Sequence, residues 1–332
     1  MAANALPEVH VIGPDDLSKA EREAVMSGAA VALADAVCLA VTGPGVIECL
    51  QGVLTNDVEA RGERGFIFGA VLTPKGMIVC DLWLARDDDA VMLFPSPQGS
   101  GALLEVFQRS LPPRLAHVED RSPQLAVLRA TGPLAVGQFA AAGIPLPAEG
   151  RTARIEVENV PCLAARPPKD QPFALQLSCA AHQLDALAAA LSSADFTVAA
   201  PAALEAARIF TGWPRLGAEI DQKTLPQEVR LDELDGVSYT KGCYTGQETV
   251  ARVHFRGHVN RALRGLTWDE APPLDDPTVW RGATKVGRVT SAVWLDTGIA
   301  GLAVLKRDVE PGVTVAAGGR EALVEPLPLS LP

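Results

Sequence analysis

The chain has 332 residues, 48% of them hydrophobic, and a formal net charge of −11. This length and hydrophobic content predict two or three domains with cores of their own, and the negative charge argues against a non-specific nucleic-acid binder. No apolar run reaches the roughly 18 residues of a membrane-spanning helix, and residues 1–13 lack the pattern of a signal or transit peptide, so a cytoplasmic location is expected.

The first half of the chain alternates predicted strands and helices. A short strand at 9–13 precedes a helix that begins near Asp16 and stops at Gly28, since acids at the start and a glycine at the end mark helix termini. The next predicted elements are a buried strand at 36–43, a short helix ending at Gly52, a hairpin of two apolar strands whose turn is formed by residues 74–76, a strand at 90–96 and a helix at 100–111.

The same strand-then-helix order partly recurs downstream. A strand at 125–132 is followed by a helix at 133–144, more strands at 152–178 and a long Ala/Leu-rich helix at 179–195. The segment 188–208 is interpreted as parts of two helices rather than as a linker. After about residue 250 come short strands separated by Gly, Pro and Asp, a pattern typical of a small antiparallel barrel.

These patterns predict an α+β protein with two related lobes and a C-terminal β-barrel. The first lobe is predicted over residues 1–120, with 200–250 returning to it. The second lobe spans 121–199, and the barrel spans 251–332.

The six cysteines are scattered, with no CxxC pair and no Cys–His cluster. This spacing argues against a zinc ribbon or an iron–sulfur cluster held by one local motif, so no metal ligand is assigned. A disulfide framework is not expected in a chain of this size without a signal peptide. Cys243 alone has polar and charged neighbours.

Residues 241–248 read KGCYTGQE and are the most informative stretch. A reactive cysteine needs an electropositive, partly exposed setting, and glycines let the backbone approach a ligand. Lys241 is two residues from Cys243 and could help to supply that field, which makes the pair candidate catalytic residues. The alternative is a tight turn that enters a helix, with Cys243 merely buried in it.

The wider sequence resembles the YgfZ-type folate-binding proteins, relatives of the T-protein (aminomethyltransferase) of the glycine cleavage system. The family motif K-G-C-[YF]-x-G-Q-E is matched at every position by 241–248, and an A-R segment follows it. LPQE at 225–228, the TNDV segment within 41–58, the hairpin at 72–89 and RIFTGWPRLGAEID at 208–221 fall in the family order. The resemblance covers about residues 30–305.

The resemblance implies two ferredoxin-like α+β lobes and a small barrel around a central channel that binds tetrahydrofolate or a folate derivative. Related aminomethyltransferases use an Asp at the end of a hairpin to contact folate. Asp81 matches it, whereas Cys80 stands where a second acid would be, which argues against aminomethyl transfer. Asp81 could equally be an exposed strand residue opposite the turn at 86–89.

Further folate-binding candidates are polar or aromatic side chains in the matched segments. Asn56 could face the channel or cap a turn, and Arg208 could reach a carboxylate or form a surface ion pair with Glu205. Trp213 could wall a ring or belong to the core. The remaining candidates come from LPQE and the cysteine motif: Gln227, Glu228, Tyr244, Gly246, Gln247 and Glu248.

The segment 249–268 carries four arginines and two histidines and contains no acid. It could receive a folate glutamate tail or make a weak contact with tRNA. It could also be a solvated strand face with partners elsewhere. Its only aromatic residues besides the histidines are Phe255 and Trp268, which weakens a base-stacking role.

Three functional hypotheses follow. The resemblance implies a folate-binding protein that supports assembly or maintenance of iron–sulfur enzymes, such as tRNA-modifying enzymes, with Cys243 essential and with iron–sulfur assembly proteins or client enzymes as partners. A folate-dependent aminomethyl- or methyltransferase, or a demethylase, is the second. A non-catalytic adaptor with a vestigial folate cleft is the third.

Overall fold

A computed structural model describes residues 8–87, 90–168, 172–295 and 298–329. Residues 1–7 lie outside these ranges, and the turn predicted at 86–89 lies partly outside them. The helices are α1 Lys19–Ser27, α2 Val46–Gln51, α3 Ser100–Ser110, α4 Ala135–Ala141, α5 Leu184–Ser193, α6 Ala202–Thr211 and α7 Gln247–Arg256.

The strands form three sheets. They are β1 His10–Ile12, β2 Ala30–Leu33, β3 Leu39–Thr42, β4 Phe66–Leu72, β5 Ile78–Asp87, β6 Ala90–Pro95, β7 His117–Asp120, β8 Leu125–Thr131, β9 Arg151–Val157, β10 Val160–Arg166, β11 Leu175–Ala180, β12 Thr197–Ala199, β13 Arg261–Trp268, β14 Thr278–Arg281, β15 Thr284–Leu295, β16 Gly298–Lys306, β17 Thr314–Ala317 and β18 Arg320–Glu325.

The first sheet has the order β4-β5-β6-β3-β7 and the second the order β12-β2-β8-β11-β10-β9. In the third, β15-β14-β17-β18-β13-β16 is a ring of antiparallel pairs that closes because β15 also pairs with β16. The predicted α+β class with a C-terminal antiparallel barrel is confirmed. Closure pairs the strands of the ring around the barrel, and β1 pairs in parallel with residues 291–293 of β15, beyond the part that pairs with β14.

Two short strands from the first 120 residues pair outside the first sheet. Strand β2 lies beside β8, with Ala30 opposite Thr131, and β1 joins the barrel. Strands β2, β7 and β12 were not predicted, because each has only three or four residues and pairs with distant parts of the chain. The division of the chain at 120, 199 and 250 stays a prediction.

Local signals explain where the helices begin and end. Ser18 and Glu21 form a capping box at the start of α1, and Gly28 ends that helix, as the sequence predicts. Helix α5 starts later than predicted because β11 continues to Ala180 and a 3₁₀ turn follows.

Helix α6 packs against both the barrel and the second sheet. Its small side chains Ala203, Ala206 and Ala207 are buried, which lets strands of the barrel and of the second sheet pack close to it. A central core also joins the first and second sheets through side chains such as Phe66 and Val127. The junction of the sheets is therefore closed on one side by α6 and on the other by the aromatic face of β5.

Candidate functional site

A cavity of about 220 Å³ lies at the junction of the sheets. We call it the central cavity. Strands β5 and β6, helix α6 and the segments 33–36 and 213–215 supply most of its lining. Its titratable lining groups are Asp35, Asp81, Arg129, Glu205, Arg208 and Arg215.

One wall of the central cavity is aromatic. Trp83 and Trp213 stack with ring centroids 5.5 Å apart and planes 16° from parallel. Phe173 meets Trp83 edge-on at 5.1 Å, and Phe94 completes the wall. Trp213 is thus both a core residue and part of the cavity lining, while its contact with a ligand ring stays a prediction.

Asp81 is the buried acid of the cavity. The alternative prediction, an exposed strand residue, is wrong for Asp81, because this residue is only 6% exposed. The Ser96 hydroxyl donates a 2.6 Å hydrogen bond to its carboxylate. Burial raises the pKa of Asp81, and the hydrogen bond from Ser96 and the charge of Arg129 only partly oppose that shift.

Arg129 is a cavity residue that the sequence analysis missed. Its Nε donates to the Gln176 side chain at 3.0 Å, and its guanidinium lies 4.5 Å from the ring centroid of Phe173. Burial lowers the pKa of Arg129 to about 10, so it stays charged at neutral pH. A charged residue inside the apolar strand 125–132 was the available signal, because such a residue is rarely buried without a partner.

Arg208 is at the centre of a buried network rather than in a surface ion pair. Its guanidinium donates to Glu205 at 3.0 Å, to Glu219 at 2.9 Å and to the Ser291 hydroxyl of the barrel at 2.8 Å. It also donates to the Trp213 carbonyl at 2.8 Å. The predicted ion pair with Glu205 is present, but it is not on the surface, because α6 packs against the barrel at this point.

Glu205 links this network to the mouth of the cavity. Arg215 donates to its carboxylate at 3.0 Å, and His10 lies 3.3 Å from the same oxygen. Although burial favours the neutral acid, the charges of Arg208 and Arg215 and the bond to His10 hold the pKa of Glu205 well below its usual range. Arg215, about one quarter exposed, is therefore a cation at the rim of the cavity.

The Lys241 ammonium holds a loop together. It donates to the backbone carbonyls of Gln51, Leu54 and Asn56 at 2.8, 2.7 and 2.8 Å. All three of its hydrogens are used, and its charge meets the carbonyl end of α2. Burial lowers the pKa of Lys241 to about 8, while the charge of Asp57 acts in the opposite direction.

Cys243 is an exposed free thiol. The tight turn that enters a helix is present, because α7 begins directly after Gly246, but Cys243 is not buried in it. Gly246 has φ of +83°, and a Cβ there would lie 2.5 Å from the Thr73 carbonyl oxygen. Position 246 therefore needs glycine, because the motif packs closely against the hairpin turn at 73–76. The thiol of Cys243 is not part of this contact and is exposed to solvent.

The other predicted ligand residues serve the structure around the motif. The Asn56 amide donates to the carbonyls of Phe68 and Asp235, and Gln227 donates to the Val250 carbonyl at 2.9 Å. Glu228 accepts two bonds of 2.9 Å from Arg261. Of the other candidates in the motif, Tyr244 is buried, Gln247 is partly exposed and Glu248 is exposed, and their role as ligand-binding residues stays a prediction.

The predicted residues thus fall into two groups. Asp81, Arg208 and Trp213 line the central cavity, whereas the cysteine motif and LPQE residues do not. The sequence analysis missed Trp83, Ser96, Arg129 and Arg215. All four come from segments that the fold brings together.

Comparisons with known proteins identify relatives of this chain. Residues 14–235 match the family described as the GCVT N-terminal domain. A protein of Cronobacter sakazakii named tRNA-modifying protein YgfZ is 28% identical over 91% of this chain and 93% of its own length. The YgfZ protein of Vibrio vulnificus CMCP6 is 39% identical over 36% of this chain, and the match spans 40% of that relative.

A solved structure shares the fold. The glycine cleavage system aminomethyltransferase T from Bartonella henselae superposes with a TM-score of 0.75 at 18% identity, covering 93% of this chain and 88% of that one. Across the described ranges, no helix has the length and apolar character needed to cross a membrane.

Proposed function

Because the chain belongs to the GCVT N-terminal domain family, as a GcvT-like protein of the YgfZ type, we propose that it binds tetrahydrofolate in the central cavity. We further propose that it supports the assembly or maintenance of iron–sulfur enzymes in the cytoplasm, with tRNA-modifying enzymes among its clients. The name of its relatives, tRNA-modifying protein YgfZ, supports that client class.

The observation that carries the folate proposal is Asp81 beside an aromatic wall. A carboxylate can accept hydrogen bonds from the N–H donors at the edge of a pterin, and Trp83 and Trp213 supply flat apolar surface for its rings. The volume of about 220 Å³ is below the roughly 300–1,000 Å³ of sites that enclose whole drug-sized ligands. The cavity therefore takes the pterin and leaves the tail at the mouth.

Two arginines suit the acidic tail of folate. Arg129 uses its Nε on Gln176, and its terminal nitrogens have no hydrogen bond within the described ranges. Arg215 at the rim already pairs with Glu205 but remains partly exposed. Arg208 has most of its donors committed to protein groups, so it holds the cavity wall rather than the ligand.

Aminomethyl transfer is not part of the proposal. In this chain Cys80 stands at the position of the second acid, and it is fully buried. Burial raises the pKa of its thiol well above the ordinary value, so it cannot replace a carboxylate in positioning an amine.

We assign the thiol of Cys243 a separate role. It is exposed and outside the cavity lining, where an iron–sulfur assembly protein or a client enzyme can reach it. Lys241 acts as a positioning residue, because its ammonium fixes the loop that carries the thiol. A weak contact with tRNA completes the proposed partners.

Complementation tests whether the cavity and the thiol are both needed. In a strain that lacks the gene, we expect wild type to restore the activity of iron–sulfur enzymes, and Cys243→Ala and Asp81→Asn to fail. The matched control is Cys162→Ala, a buried thiol in the core of the second sheet, which should restore activity. Full restoration by Cys243→Ala would contradict the proposed role of the thiol.

A further inference from the structure

The outer face of α7 combines exposed cations with an exposed ring. Arg252, Phe255 and Arg256 are spaced by three and four residues and so share one helix face. The Phe255 side chain is 67% exposed. Between residues 199 and 279, all of which the structure describes, Phe255 is the only large hydrophobic residue that is exposed to solvent.

The fold adds a second aromatic residue that the sequence segment lacks. Tyr239 stacks on His254 with ring centroids 3.7 Å apart and planes 18° from parallel. Phe255 stands almost perpendicular to His254, at 4.8 Å and 85°. The Gln227 amide donates to the Tyr239 hydroxyl at 3.3 Å, which helps to fix the stack. Tyr239 therefore supports the ring of His254 from the core side, and Phe255 is the exposed aromatic side chain of this face.

The cations of this face are free to bind a ligand. Arg261 is engaged by Glu228, and Arg264 donates to a backbone carbonyl, whereas Arg252 and Arg256 have no ion pair within the described ranges. The exposed His258 follows directly after the helix. Glu248, at the first turn of α7, is the one acid on the helix.

We propose that this face binds a single-stranded segment of RNA. We call it the α7 platform, defined as Tyr239, Arg252, His254, Phe255, Arg256 and His258. Arginines that flank an open ring match the two parts of a single strand, because guanidinium groups bind phosphates while bases stack on the ring. The negative net charge of the rest of the protein confines such binding to this face.

The surroundings of Phe255 favour RNA over an acidic protein. A protein hot spot is normally encircled by contacts that exclude water. Here the flanking residues Arg256, Gly257 and His258 are all exposed, and none of them adds an apolar side chain beside the ring. The platform shares no residue with the central cavity. The RNA-binding proposal rests on the proposed function in one respect: it identifies the surface that makes the proposed contact with tRNA.

The test is fluorescence anisotropy of a short, labelled single-stranded RNA of mixed sequence, with the full-length protein and no folate. Phe255→Ala should weaken binding by roughly 5- to 150-fold, while Phe255→Tyr keeps the affinity. The double variant Arg252→Gln/Arg256→Gln should reduce the slope of log affinity against log salt by about 1.4, since each lost phosphate contact contributes about 0.7.

Trp280→Ala is the matched control, since this exposed aromatic lies on the barrel beside the exposed Arg281. It should bind like wild type, as should Asp81→Asn, because the cavity is not involved. Absence of binding by wild type at low salt, or an equal loss in Trp280→Ala, would overturn the proposal and leave the face to a protein partner. A failure of folate binding alone would leave these results unchanged.

Discussion

Replacing Arg208 by methionine removes the charge that joins α6 to the barrel. Glu219, whose side chain has no exposed surface, then keeps only its bonds from the Arg215 backbone at 3.0 Å and from Ser291 at 2.7 Å. Breaking a buried ion pair by removing one partner costs about 3–5 kcal/mol. Since folded proteins are stable by about 5–15 kcal/mol, the variant should lose a large part of its free energy of unfolding.

Urea titration followed by tryptophan fluorescence measures the effect, because Trp83 and Trp213 lie next to the network. Arg109→Met on α3 is the matched control. It removes an arginine from an i,i+4 pair with Glu105 whose side chains are 69% and 71% exposed, and it should change stability by about 0.5 kcal/mol or less. The double variant Arg208→Met/Glu219→Gln should be more stable than Arg208→Met alone, since no uncompensated charge remains at that position.

A loss below about 1 kcal/mol in Arg208→Met would refute this reasoning. So would a double variant that is less stable than the single one. Either result would mean that the network is hydrated and does not hold the cavity wall against the barrel.

Three further predictions concern the cavity and the motif. Burial raises the folded-state pKa of Asp81. The stabilisation that comes from the protonated Asp81 is therefore fully present below the unfolded pKa of about 4, and it is lost as the pH rises through the folded pKa. Asp81→Asn should therefore gain stability relative to wild type at pH 7 but not at pH 3, as seen in urea titrations at both pH values. Ellman's reagent should modify one thiol per native chain rapidly, and Cys243→Ala should abolish that fast phase. Within the motif, Gly246→Ala should lose at least about 1–2 kcal/mol from backbone strain alone, whereas Gly242→Ala, with open space around its Cβ position, should stay close to wild type in the same assay.

The fold could be predicted to the level of its lobes and barrel because long apolar strands and amphipathic helices have clear periodicity. The hairpin of β4 and β5 and the strands after residue 250 are examples. Strands β2 and β12 could not be found, since three or four residues show no period and their partners are distant in sequence.

The candidate site was only half predictable. Asp81 follows from the family hairpin, but Arg129 enters the cavity through pairing of β8 with β11, which no local pattern reveals. Lys241 has a structural role that its position in the sequence did not predict. Sequence proximity placed its charge beside the thiol of Cys243, whereas the fold uses the ammonium to bind three carbonyls of a loop nearly 190 residues earlier.

Calorimetric titration with tetrahydrofolate tests most directly whether folate binds in the cavity and apart from the thiol. Wild type and Cys243→Ala should bind with equal affinity, and Asp81→Asn should bind about tenfold or more weakly, as expected for the loss of a hydrogen bond to a charged group. The proposal that folate binds in the central cavity would be contradicted if wild type did not bind, or if Cys243→Ala lost binding while Asp81→Asn kept it.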